Sequence, residues 1–172
     1  MKLKDYCYPK VKHFRDCVGL GQNLPSLHRA LFDEENEEFY DAKDDSEVAD
    51  ALADMIFIWC GALLDLKKPI YRTDEWFWTY VQDQAEIVGI DLRGAFDLVY
   101  ESNMSKLCKI EDIAPTIAKY EELGVVVDFK QISDDLFAVY SDCDHADYPR
   151  GKLLKPVSFK EPDWSREDVW RS

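Results

Sequence analysis

Asp33-Glu34-Glu35-Asn36-Glu37-Glu38-Phe39, followed after a short break by Glu47-Val48-Ala49-Asp50-Ala51-Leu52-Ala53-Asp54, decides how this chain is read. In a helix each residue turns about 100°, so Glu34 and Glu38 lie about 40° apart and Glu35 about 60° from Glu38 on the other side. The three can converge on one point. In the second stretch Glu47 and Asp54 fall within about 20° of each other, with Asp50 about 60° away. The rest of that segment is apolar (Val48, Leu52, Met55, Ile56, Ile58, Trp59, Leu63), which describes a helix covered on most sides. Asp50 and Asp54 inside it are costly as bare charges, so something must compensate them.

Outward from this pair, the punctuation gives the other elements. Val11, Phe14 and Val18 share a stripe and predict a first helix over 10–20, with Gly19–Pro25 as connector. Ser26 is a candidate N-cap for a helix to about Lys43. Asp44-Asp45-Ser46 reads as a turn and cap, and the next helix runs from Glu47 to about Leu66. Lys67 and Lys68 suit its C-terminal dipole, and Pro69 stops it. Thr73-Asp74-Glu75 opens a helix ending near Gly89. Asp91 caps another that runs to about Leu107, and a short helix spans Pro115 to Leu123 before Gly124. Val125–Phe129 and Leu136–Tyr140 are β-branched and aromatic runs around Ser133-Asp134-Asp135, which predicts a β-hairpin. The tail from Tyr148 reads as irregular. The expected architecture is mainly α, an antiparallel helical bundle with a small β-hairpin-containing C-terminal lobe. Residues 1–108 would form the helical metal-binding core and 109–172 the extension.

The short turn makes the two acidic helices antiparallel neighbours, so that two acidic stripes face each other. For Glu34–Glu38 alone a solvated face is the simpler account, in a chain with 35 Asp plus Glu. For Asp50 and Asp54 the alternative is an ion pair or cap, yet no Lys or Arg follows on that helix until Lys67. Taken together, the stripes favour divalent cations with oxygen ligands, Mg²⁺ or Mn²⁺. Two or more such ions would neutralise a triphosphate and acidify a water, and a nearby glutamate would take its proton. The chemistry implied is hydrolysis of a phosphoanhydride.

Composition agrees. At 172 residues the chain suits one domain with a small appendage, and 47% hydrophobic with 33% charged residues argues against disorder. A net charge of −14 excludes a general duplex-DNA or anionic-membrane binder. The start has no apolar run, so no secretory leader is expected. The apolar run Met55–Leu64 is too short to span a bilayer. Five cysteines without a Cys-x-x-Cys pair, and three scattered histidines (His13, His28, His145), argue against disulfides or a zinc centre. A cytoplasmic protein with free thiols is expected.

The acidic pair resembles the signature of the all-α nucleoside triphosphate pyrophosphohydrolases, which include MazG-like enzymes, dimeric dUTPases and phosphoribosyl-ATP pyrophosphohydrolases. Glu34-Glu35-Asn36-Glu37-Glu38 supplies its Glu-Glu-x-x-Glu, and Glu47-Val48-Ala49-Asp50 its Glu-x-x-Asp. A MazG-type alignment on Asp54 instead puts Ala51 where a glutamate stands. Either Glu47 and Asp50 are the pair or one ligand is lost; Asp50 and Asp54 with Glu47 in support are favoured. Ser102-Asn103-Met104-Ser105-Lys106 is similar to the Asn-Met-Ser-Lys segment of phosphoribosyl-ATP pyrophosphohydrolase-like proteins, many from phages. Tyr148–Pro156 is similar to their Gly-Lys-x-x-Lys tail.

The resemblance implies an all-α NTP pyrophosphatase-type fold and hydrolysis to nucleoside monophosphate and pyrophosphate. It implies Mg²⁺, or Mn²⁺ in its place, two or more per site, on Glu35, Glu38, Glu47, Asp50 and Asp54. Glu34, Glu35 and Glu38 would act in catalysis, and Asn103, Lys106, Lys152 and Lys155 would contact the nucleotide. It further implies a homodimer or homotetramer that completes a four-helix bundle. Trp59, Trp76 and Trp78 agree mildly, being more than a thin helical layer buries alone. Competing readings are phosphoribosyl-ATP hydrolysis, which shares the metal residues, and a non-catalytic acidic DNA mimic. Phe14, Tyr100 and Trp76 are candidates for base stacking but fit a core equally. Base preference, dUTP or dGTP foremost, is open at this level.

Overall fold

The computed structural model describes residues 1–19 and 25–171, so the connector expected after Gly19 lies almost wholly outside the described residues. The described residues fold into six α-helices and one three-stranded sheet. In order these are α1 (Leu3–Val18), α2 (Pro25–Asp41), α3 (Asp45–Leu66), α4 (Asp74–Val88), α5 (Leu92–Met104), β1 (Leu107–Cys108), α6 (Ile110–Glu121), β2 (Val127–Gln131) and β3 (Phe137–Ser141). The architecture is mainly α with a small antiparallel sheet near the C-terminus, as the sequence predicts.

Local chemistry sets the ends of α3 and α4. The Asp44 carboxylate accepts from the backbone N–H groups of Ser46 and Glu47 at 2.9 and 3.0 Å, which caps α3. Lys67 closes it in the left-handed conformation, φ 56°. Thr73 caps α4, and Gly89 at φ 82° ends it. The first helix starts well before the expected position and runs through Pro9. Leu3, Cys7, Val11, Phe14 and Val18 form one buried stripe, and its packing outweighs the hydrogen bond that proline removes. Likewise α6 begins at Ile110, ahead of Pro115, because Ile113, Thr116 and Tyr120 bury one face. The helix expected to reach Leu107 stops at Met104, and Leu107-Cys108 pairs with Ala138 and Phe137 instead.

Two compact units are distinguished by their internal contacts, and neither is a single stretch of chain. The first holds residues 1–16, 20–100 and 162–172; the second holds 17–19 and 101–161. The sequence suggests a single division after residue 108, but the segment from Pro162 onward returns to the first unit. There Asp91 N–H donates to Val169 O and Arg171 N–H to Gly89 O, both at 2.7 Å. The returning strand passes so close to α5 that a Cβ on Gly94 would meet the Asp168 carbonyl at 2.0 Å, a position open only to glycine.

The core of the first unit is built on α3, which buries Leu52, Met55, Ile56, Trp59 and Cys60. Trp59 stacks on Phe77 at 4.1 Å between ring centres, and Phe32 tilts against both. Trp59 and Trp78 both donate to the Asp74 carboxylate. Trp59 and Trp78 are thus buried within the chain, while Trp76 is half-exposed and stacked on Tyr80. Two of the three tryptophans are therefore accounted for within the chain. In the second unit β3 lies between β1 and β2, in the order β1-β3-β2. Phe137, Val139, Leu154, Ile113 and Tyr120 make its core. The tail is irregular from Tyr148 as expected, apart from bridges of Leu153 to Tyr140 and of Trp170 to Ile90 and a short 3-10 turn, Glu167–Val169.

Candidate active site

Helices α2 and α3 form a tight antiparallel hairpin joined by 42–44. The hairpin sets the register of the acids. Glu38 and Glu35 come opposite Asp50 and Asp54, because each step up α2 is matched by an equal step down α3. The electrostatics follow this geometry. Burial first, and then the negative charges of Asp54, Glu38, Asp50 and Glu34 in that order, together push the Glu35 carboxyl up to about 8. Four carboxylates from the two helices thus converge on Glu35.

Glu34, Glu38 and Glu47 are exposed, while Glu35, Asp50 and Asp54 are half-buried. The two aspartates are therefore less enclosed than their apolar helix suggests, and Asp50 borders a groove. That groove, about 640 Å³, opens at the turn and is lined by Glu38, Asp41, Lys43, Glu47 and Asp50. Glu47 is held at its rim by the backbone N–H of Lys43, which donates to its carboxylate at 2.7 Å. Asp33, one residue before the motif, turns away and accepts from the Tyr71 hydroxyl at 2.9 and 3.0 Å.

The set is all carboxylate oxygen, the donor chemistry of Mg²⁺ or Mn²⁺. Among the described residues no three His, Cys, Asp or Glu side chains already stand at ligating spacing. Ligation therefore requires these partly wet side chains to rotate inward, a change that exposed glutamates make readily. With that movement the residues fit a hard divalent cation, and a raised carboxyl such as Glu35 is one that gains from the arrival of positive charge.

The remaining predicted residues belong to the second unit. Asn103 is buried, and the Lys106 ammonium donates to its Oδ1 at 2.6 Å. Lys152 is exposed and donates to the Asp147 carbonyl at 2.8 Å, and Lys155 pairs with Glu161 at 3.0 Å.

Sequence reasoning passed over a buried polar group in the first unit. Asp65 near the end of α3 accepts from Arg15 of α1 at 2.8 Å on both oxygens and lies 2.8 Å from His28 Nε2 of α2. His28 is 2% exposed and Asp65 9%. The partners are 37 and 50 positions apart, beyond the reach of any local pattern.

Residues 19–70 match the family model described as phosphoribosyl-ATP pyrophosphohydrolase, a family of the all-α nucleoside triphosphate pyrophosphohydrolase superfamily. The matched segment contains α2, α3 and all six acids, and it supports a pyrophosphohydrolase-type function. An uncharacterized protein of Acanthamoeba polyphaga mimivirus is 37% identical over 92 residues, which cover 51% of this chain and 35% of the viral one. The similarity thus spans about a third of that relative's length. No solved structure matches the chain significantly. Among the described residues no helix is long and apolar enough to cross a membrane.

Proposed function

We propose that the protein is a Mg²⁺-dependent pyrophosphohydrolase that cleaves a (deoxy)nucleoside triphosphate to its monophosphate and pyrophosphate. The observation that carries the reading is the meeting of Glu34, Glu35 and Glu38 of α2 with Asp50 and Asp54 of α3 in one hairpin, inside the segment matched by the family. Bound at Glu35, Glu38, Glu47, Asp50 and Asp54, Mg²⁺ (or Mn²⁺, two or more per site) would neutralise the triphosphate and acidify a water. Asp50 and Asp54 are fixed by a rigid, buried helix and set the position of the site. Glu35 and Glu38, on the more exposed helix, adjust around it. Glu34, exposed beside them, accepts the attacking water's proton on a carboxylate oxygen. Water adds to one of the two phosphorus atoms that share the α–β bridging oxygen, the bond from that phosphorus to the bridging oxygen breaks, and the monophosphate and pyrophosphate separate. Asn103, Lys106, Lys152 and Lys155 contact the nucleotide in this reading. The enzyme acts in the cytoplasm as a homodimer or homotetramer.

A second reading, hydrolysis of phosphoribosyl-ATP, is favoured by the description of the matched family. It uses the same acids. One assay separates the two: pyrophosphate release from a panel of nucleoside triphosphates and phosphoribosyl-ATP, in Mg²⁺ and in EDTA. Mg²⁺-dependent release from a triphosphate, with phosphoribosyl-ATP untouched, supports the first reading. Turnover of phosphoribosyl-ATP alone supports the second, and release that persists in EDTA contradicts both.

A further inference from the structure

A cavity of about 150 Å³ lies in the first unit where α1, α2 and α3 meet. Its walls are apolar, with Phe14, Phe57 and Ile58 among them, and Arg15, His28 and Gly61 also line it. The His28 ring is nine-tenths buried, and its Nδ1 has no hydrogen-bond partner among the described residues. A buried ring nitrogen left unpaired costs about 1–3 kcal/mol, so this atom is a feature in need of a function. Its other nitrogen defines its character. Asp65 accepts two hydrogen bonds from Arg15 and is a carboxylate, so His28 Nε2 donates to it, and in the neutral ring Nδ1 is an acceptor.

The cavity is aligned with the acids. His28 and Glu35 are seven residues apart on α2, about 10.5 Å along the helix and within about 20° of the same face. Gly61 and Asp54 stand in the same relation on α3. A ligand with its head in the cavity and its tail on the acids would lie along one side of the hairpin, the layout of a nucleotide. We propose that this cavity receives the base of the nucleotide and that the base is a pyrimidine, with an N–H of the ring or its amine donating to His28 Nδ1. The volume favours the smaller class. A cavity of ~150 Å³ takes one six-membered ring with room to spare, whereas a purine needs all of it at close-packed density. Phe14 and Phe57 supply the apolar walls. Calling the ligand a nucleotide base rests on the hydrolase reading; the pocket itself does not.

Gly61 provides the test. A Cβ there would stand 3.5 Å from Arg15 Nη1 and 3.8 Å from His28 Cε1, ordinary contact distances, so Gly61→Ala preserves the fold while reducing the cavity. Replacing a mid-helix glycine also favours the helix. The experiment titrates the whole protein with deoxyuridine, deoxycytidine, deoxyadenosine and deoxyguanosine, without phosphate or metal, while long-range ¹H–¹⁵N correlations follow the His28 imidazole. The expected result is a shift of the Nδ1 resonance with a pyrimidine nucleoside and none with purines. Gly61→Ala should keep or raise Tm and weaken pyrimidine binding tenfold or more. Purine binding at His28, pyrimidine binding indifferent to Gly61→Ala, or no shift with any nucleoside overturns the proposal. No triphosphate is present, so failure here leaves hydrolysis standing, and failure of hydrolysis leaves this result intact.

Discussion

Glu35 of α2 and Asp54 of α3 are coupled across the helical hairpin. After burial, the charge of Asp54 is the strongest influence holding the Glu35 carboxyl at about 8. Neither residue is remarkable alone in a chain with 35 acids. Their coupling separates this cluster from a solvated acidic face, on which carboxylates keep ordinary values because water screens them.

The coupling makes the stability of the metal-free protein depend on pH. Glu35 titrates near 4.5 when unfolded and near 8 when folded, so between these values the folded state holds the extra proton. Its contribution is fully present below about 4.5 and is lost as pH rises through about 8. Glu35→Gln should remove this slope. In urea denaturation with EDTA at pH 9 the variant should be more stable than the parent by about 1–2 kcal/mol, a figure set below the full shift because the site is partly wet. Equal stability at that pH would show that the carboxyl is not perturbed.

The buried polar group should dominate a different measurement. Asp65→Ala leaves Arg15 and His28 inside the first unit without their shared carboxylate, a change worth about 3–5 kcal/mol. Asp16→Ala, which breaks the exposed Lys12–Asp16 pair, should cost less than about 1 kcal/mol. Chemical denaturation of both variants checks the contrast. Similar losses would mean that burial does not set the strength of these pairs.

The hairpin was legible because its signals are local. Acids one helical turn apart, the Asp44 cap and an apolar α3 all lie within consecutive residues. So do the Thr73 cap, the Gly89 stop and the β2–β3 hairpin. What escaped was set by contacts distant in sequence. A two-residue strand such as Leu107-Cys108 exists only because β3 offers it an edge. Pro9 and Pro115 sit inside helices because buried stripes on either side hold those helices together. The half-exposure of Asp50 and Asp54 depends on where α2 crosses α3, and no helical wheel gives that. The Arg15–Asp65–His28 group escaped for the same reason, and with it the cavity beside Phe14, a residue that fits both a core and a base contact.

Thiol chemistry reports on the packing of both units. Cys7, Cys60 and Cys108 are buried, whereas Cys17 and Cys143 are half-buried. Burial, with the charge of Asp97 behind it, pushes the Cys7 thiol up to about 12, and burial raises Cys60 strongly too. Thiolate is the reactive form. At pH 8 an aromatic disulfide reagent should therefore modify Cys17 and Cys143 rapidly, and the other three only as the protein unfolds. Peptide mapping of the modified protein identifies the sites, and early labelling of Cys7 or Cys60 would contradict this packing.

The most direct test of the two acidic rows is to count the ions they hold. Electron paramagnetic resonance follows the six-line signal of free Mn²⁺ as protein is added with a nonhydrolysable α,β-imido deoxynucleoside triphosphate. The account predicts that the protein removes two or more Mn²⁺ per subunit from the free signal. It also predicts that Asp54→Asn, with unchanged circular dichroism, loses at least one of them. A free signal undiminished by the wild-type protein, or an Asp54→Asn variant that binds as many ions as its parent, would contradict it.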